Sequence, residues 1–415
     1  MSETSSGQIE TPTGDRAAGG DSAAAAVALS SSSSDDRQPL LERGSLAVFE
    51  VFADVTEATV VSFGLWAVLQ LFSLLQLLLL PLGPDGTWAA DSSASAGGVA
   101  GIVPAFQGFL LSVTFTPWTQ TAGATPIAAF SALSVWAVAA AFFAALLALF
   151  GAAAARAFVA NRELRGAARG AAKGAPQQRR GDKSGLFELR LLIAAAVIGL
   201  PVPLVGNLLL PVVCPSGTWA GFACWTDPTH VAVSAVSIII LAIGAPFLVL
   251  AASIFQSRLP DLKLHPTAVS HGRVEALSMA VKLVMTVVFI AGTALSRWVH
   301  LLVNLAGGVA LVALIISYLP HLDQTLNHIE VASNCVFLAA AAAAVVTEEL
   351  KTAVSLHDAV STGGVVLCFL APVLAYAGSL LVSARYHALL RSKAAASPYS
   401  IELRVRAMVA EAGMT

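Results

Sequence analysis

The chain has 415 residues, 57% of them hydrophobic and only 12% charged, with a mean hydropathy of +0.78. A soluble globular domain carries roughly twice that charge density, so this composition reads as a membrane protein. The net charge of −2 and pI near 6.4 offer no concentrated basic face for phosphate, and nucleic acid is set aside as a partner.

Residues 1–45 are rich in Ser, Gly, Asp and Ala, and AAAAVAL at 23–29 is too short and lacks the basic flank of a secretory leader. This stretch is expected to be a disordered cytoplasmic arm. Beyond it, a bilayer core about 30 Å thick demands about 20 mostly apolar helical residues per crossing. Eight such runs lie near 59–82, 127–152, 190–211, 231–254, 275–295, 298–318, 331–348 and 364–385. The seventh is the least apolar, and 100–116 has the pattern of a re-entrant or interfacial segment. The expected architecture is an all-α polytopic transmembrane bundle of about eight spans over 46–390, followed at 391–415 by the truncated start of a cytoplasmic helical region.

Short loops rich in Lys and Arg stay on the cytoplasmic side. With eight spans, 20 of the 23 Lys and Arg fall on the side of the two termini, nine of them between Arg156 and Arg190. Arg297 and Lys351 fall on the other side, and Lys282 lies inside a span. Both termini are therefore expected in the cytosol, with the plasma membrane as the host bilayer. The basic connection around NRELRGAARGAAKG either contacts anionic lipid or only sets topology. Gly174 and Pro176 argue against one continuous amphipathic helix there. The many small residues of the second span permit close helix approach, but the same bias recurs outside the spans.

This orientation puts CPSGTWAGFACW, residues 214–225, on the non-cytoplasmic side, where disulfides persist. A Cys214–Cys224 bond is the preferred reading, with Pro215, Gly217 and Gly221 letting the chain turn back. Two unpaired cysteines at a membrane surface are the alternative. Zinc fits poorly, because a structural site needs four ligands and the loop supplies these two plus at most His230 or Asp227. Cys335 and Cys368 read as small packing residues within spans.

Four ordered stretches resemble the membrane region of the tiny macrocysts proteins, type B. They are LQLFSLLQLLLLPL; PVPLVGNLLLPVVC with the loop ending in CW; HPTAVSHGRVEALSMAVKLV; and YLPHLDQTLN followed by SPYSIELRVR. The resemblance covers about residues 45–410. It implies a role in membrane signalling or sensing. Such proteins usually continue into a long cytoplasmic helical-repeat region, often with PAS-type domains, whereas this sequence stops at Thr415. The resemblance therefore implies a membrane half, either truncated or working through a separate cytosolic signalling partner.

Within the spans, Lys282 stands out. Glu275, Ser278 and Lys282 fall on one helical stripe, and inward-facing polar groups inside a bilayer are functional by default. The alternative is that Lys282 snorkels to the headgroups while Arg273 and Glu275 anchor the interface. Asn207 and Asn304 are expected to glue neighbouring spans by hydrogen bonds rather than coordinate ions. His321, Asp323 and His328 in a short connection are expected to be exposed loop residues more than a metal site. Glu348, Glu349, His357 and Asp358 form an acidic outer loop, and Asp54 and Glu57 precede the first span without an evident partner.

No phosphate-cradling loop, His-Glu-x-x-His helix or nucleophile elbow is present, so no catalytic site, cofactor or metal is expected and the chain is not read as an enzyme. The competing classes are a small-solute or ion transporter or channel, and a membrane anchor or scaffold. The transporter reading calls for interrupted spans in corresponding positions of two halves. The third span carries Pro201, Pro203 and Gly206, with no matching break one half-repeat later.

Overall fold

The computed structural model describes residues 63–82, 126–170, 189, 191–214, 217–254, 272–291, 296–321 and 323–396. The N-terminal arm, the 100–116 stretch, the basic connection beyond Gly170, Asp54, Glu57 and the 397–415 tail lie outside these residues.

The helices are α1 (Phe63–Leu82), α2 (Pro126–Gly170), α3 (Pro201–Val213), α4 (Pro228–Ile254), α5 (Gly272–Ala291), α6 (Arg297–Tyr318), α7 (Gln324–Leu350) and α8 (Leu356–Ala396). Seven are long and apolar enough to cross a membrane; α3 joins Leu191–Gly199 as one broken crossing bent by 76°. The result is an all-α polytopic bundle with seven to eight spans.

Capping residues set several helix starts. Asp227 accepts from Thr229 N–H at 2.8 Å ahead of Pro228, a first-turn proline with no N–H to satisfy. Asp323 does the same for α7 through Thr325 N–H at 2.8 Å. Ser355 and Asp358 face each other at 2.8 Å at the start of α8. The Asp323 cap begins the seventh span at 324 rather than the expected 331, because the polar run QTLNHIE is helical despite its low hydropathy. Helix α2 likewise runs through the basic NRELRGAARG, well past the expected 152.

The third span breaks for a covalent reason. A proline removes the N–H that would bond the carbonyl four residues back, and it disfavours helical geometry in the residue before it. Ala195–Gly199 form a π-helical turn closed by Leu200 N–H to the Ala195 carbonyl at 2.7 Å. Leu200 leaves helical geometry at φ −128°, and Pro201 starts α3 in a new direction. Pro203 has no N–H for the Gly199 carbonyl, and Gln76 of α1 donates to that carbonyl instead.

Contacts give the helix directions. Trp136, Phe143 and Phe150 of α2 meet Ser237, Gly244 and Phe247 of α4 in the same order, so these two run parallel. Gly307 and Gly308 let α6 approach Met285 of α5 and Leu338 of α7; at Gly308 an added Cβ would sit 3.2 Å from the Leu338 backbone. Short connections make α5, α6, α7 and α8 successively antiparallel. One face of the bundle therefore holds the 214–225 hairpin and the α5–α6 and α7–α8 links, and the opposite face holds His321 and the ends of α2 and α8.

At the hairpin face, Cys214 and Cys224 form a disulfide with Cα atoms 6.2 Å apart. It closes over a two-stranded ribbon, β1 (Thr218–Trp219) against β2 (Phe222–Ala223). The turn residues Ala220 and Gly221 both have positive φ, as the mirror-image turn of a tight hairpin requires. Trp219 is buried against Trp136 of α2 and His230 of α4.

Burial follows the expected solvent. Among the seven unbroken spans the alanine-rich α7 is the most buried and α8 the least. Outer faces carry exposed Ile239, Val365, Phe369, Val373 and Tyr376, which suits lipid tails rather than water. Cys335 is buried, with its sulfur 3.2 Å from where a Gly378 Cβ would stand, and packs as expected. Cys368 is exposed on the outer face of α8 rather than packed inside.

Candidate functional site

Four ionisable side chains meet between α1, α5, α7 and the α6–α7 link. His321 Nε2 lies 2.9 Å from Glu330 Oε2, and both residues are buried. Donor atoms of Glu275, His321 and Glu330 all fall within 4.8 Å of one another. Lys282, two turns along α5 from Glu275, donates from Nζ to Ser73 Oγ of α1 at 3.3 Å.

Glu275, Lys282 and Glu330 border a cavity of about 20 Å³, shared with Gln70 of α1, Ser278 of α5 and Val197 and Ile198 of the π-helical turn. About 10–15 Å³ on this measure is enough for one water.

His321 is held firmly. Its backbone N–H donates to Asn327 Oδ1 at 3.1 Å, and Asn327 Nδ2 donates back to the His321 carbonyl at 2.7 Å. The preceding Leu319 takes a left-handed φ of 45°, which turns the chain from α6 toward α7. The edge of Trp66 closes one side, with ring centroids 5.6 Å apart. Burial by itself lowers the imidazole pKa. The hydrogen bond and charge of Glu330, with Glu275 and Asp323 behind it, outweigh that effect and hold it above its ordinary value.

Two carboxyl groups, one amine and one imidazole lie together here. A buried set of this kind is tolerable in a low-dielectric bundle only while it stays near neutral. Gain or loss of a proton by any one of the four changes that balance.

The stripe Glu275, Ser278, Lys282 faces the cavity as its spacing predicts, and Lys282 points to Ser73 inside the bundle. His321, Asp323 and His328 do not converge. Asp323 caps α7, and His328 pairs with Gln324 at 3.1 Å and lies 3.3 Å from Ser383 of α8. Asn207 turns its amide to the Pro203 carbonyl of its own helix at 2.8 Å, and Asn304 to His300 of its own helix at 2.9 Å. Both of these bonds lie within one helix. Glu348 takes both cations of the hairpin face, Arg297 at 3.0 Å and Lys351 at 3.5 Å.

Glu330 is the residue that sequence reasoning missed. It stands just before the expected seventh span, and its helix register becomes readable only once Asp323 is recognised as the cap.

Fold and site together define a multi-pass helical membrane protein with ionisable groups buried between its spans. No protein-family model, curated protein or solved structure matches the chain.

Proposed function

We propose that the protein is a proton-coupled transporter or channel in which Glu275, Lys282, His321 and Glu330 bind and release the proton. The observation that carries this reading is the convergence of Glu275, Lys282 and Glu330 on a water-sized cavity walled by a broken span, with His321 bonded to Glu330. Discontinuous helices whose freed backbone lines a mid-bundle site are how transporters build ion sites. The 76° bend is the single such pair among the described residues, so the proposal rests on the site and not on an internal repeat.

Reconstitution into vesicles loaded with a pH-sensitive dye tests it. An imposed pH gradient should drive proton entry in the unaltered protein. Glu330→Gln and Lys282→Ala should each slow that entry by about a hundredfold, the scale on which removing a positioned proton carrier acts. Unaltered flux in both variants would refute the proposal.

A second reading, a sensor's membrane module of the tiny macrocysts type, draws on α2 and α8. At 45 and 41 residues they are about twice the length a bilayer core requires, and both end on the His321 face. On this reading the site's charge state shifts these rods against a cytosolic partner, with the termini in the cytosol and the plasma membrane as host. A pH-driven change in spin-label distance between α2 and α8, without proton flux, would favour it.

A further inference from the structure

We propose that the Cys214–Cys224 hairpin is a thiol–disulfide exchange site that takes two electrons from a small thiol, with His230 as hydrogen-bond donor to the sulfur released first. The site lies on the face opposite His321 and stands independently of the proton reading. Two features of the hairpin favour opening of the bond, and a third sets the order of events.

The first is a buried donor without an acceptor. His230, in the first turn of α4, is fully buried, and Trp219 and Trp225 make edge contacts with its ring at centroid distances of 6.3 and 5.7 Å. Its Nδ1 accepts from the Trp225 backbone N–H at 3.0 Å, so the single proton of the neutral ring sits on Nε2. Ser234 does not answer it, because its hydroxyl lies on the Nδ1 side at 3.5 Å and donates to the Pro211 carbonyl at 3.0 Å. Nε2 has no hydrogen-bond partner among the described residues. Yet a ring nitrogen and both sulfurs lie within 4.8 Å of one another. A disulfide sulfur accepts weakly and a thiolate strongly, so breaking the bond supplies the acceptor that a buried donor normally finds.

The second is backbone strain. Among the described residues, three of the four non-glycine positions with left-handed φ are Cys214 at 47°, Ala220 at 50° and Trp225 at 61°. A side chain with a Cβ resists this region, and such positions gather where a protein does chemistry. Cys214 is one end of the bridge and Trp225 follows the other, so the closed bond holds both in place. Strained bridges are the more readily reduced. The third feature is unequal access. Cys214 is 8% exposed, whereas Cys224 is half-buried, so an incoming thiolate meets the Cys224 sulfur and Cys214 is the leaving group.

The exchange balances with the small thiol as the sole reductant. A first thiol loses its proton to solvent, and its thiolate attacks Cys224 Sγ. A new S–S bond forms there, and the Cys214–Cys224 bond breaks with its electron pair going to Cys214 Sγ. His230 Nε2–H donates a hydrogen bond to that thiolate until it takes a proton from solvent. A second thiolate then attacks the outer sulfur of the mixed disulfide, Cys224 leaves, and it is protonated in turn. Two small thiols become one small disulfide, and the hairpin gains two electrons and two protons.

The test incubates the unaltered protein in detergent with mixtures of reduced and oxidised glutathione, quenches with an alkylating agent and maps the cysteines peptide by peptide. Cys214 and Cys224 should open together, in a fraction that follows the glutathione ratio, while the helical circular-dichroism signal holds. Opening by reduced glutathione should be about tenfold slower in His230→Phe, the scale of one lost hydrogen bond to a forming charge. His230→Gln, which keeps an N–H donor, should recover part of that rate. Cys214→Ser should accumulate a glutathione adduct on Cys224. A bond that stays closed at every ratio until the helical signal is lost, or one that opens at the same rate in His230→Phe, overturns the inference.

Discussion

His321 sits between two opposing effects: burial favours the neutral ring, and the carboxylates of Glu330, Glu275 and Asp323 favour the charged one. The carboxylates outweigh burial and raise the folded pKa, and the sign of the effect on stability follows. A group whose folded pKa is raised contributes stability that is fully present below its unfolded value, about 6.5, and lost as pH rises through the folded value. Thermal melts in detergent should therefore show a midpoint that falls as pH is raised above about 6.5, and His321→Gln should flatten that dependence. A slope unchanged in the variant would show that another group titrates. At this scale the sequence was half legible. Helical spacing alone put Glu275, Ser278 and Lys282 on one stripe. It could not pair His321 with Glu330, because nine residues separate them across a turn whose geometry depends on Leu319 and Asn327.

The broken span shows what one missing N–H does to a whole element. Pro203 leaves the Gly199 carbonyl for Gln76, so Pro203→Ala restores a helical partner and competes with the α1 contact. The bend should then open toward a straight helix, and proton flux should drop. Spin-label distances between Leu191–Gly199 and the end of α3 read the first, dye-loaded vesicles the second; an unchanged bend would mean that packing, not the proline, sets it. The disulfide element makes a separate prediction. Its cross-link should contribute roughly 2–3 kcal/mol, so reductant should lower the melting midpoint, and Cys224→Ser should make the protein insensitive to reductant. The prolines and paired cysteines announced both elements in the sequence. What they left unsaid is long-range: that a glutamine on α1 caps the break, and that Trp219 plugs the hairpin against α2. The start of α7 was misread because hydropathy weighs a polar first turn against a helix, whereas a capping aspartate weighs for it.

For the molecule as a whole, the lipid decides which charges survive inside. Outer faces of α4 and α8 are apolar, and the two cations on the hairpin face share Glu348. Near the His321 end, Glu330 pairs with His321, and Lys282 reaches Ser73 inside the bundle. Apolar run length was enough to read the span number, since each crossing obeys a local rule. The site was not, since it forms only when α1, α5, α7 and the α6–α7 link come together. The most direct measurement of the central claim is infrared difference spectroscopy of the reconstituted protein across a pH jump. Exchange of protons at this site predicts a carboxylic-acid carbonyl band that changes with pH and is lost in Glu275→Gln or Glu330→Gln. A spectrum with no carboxyl change, or one identical in both variants, would contradict it.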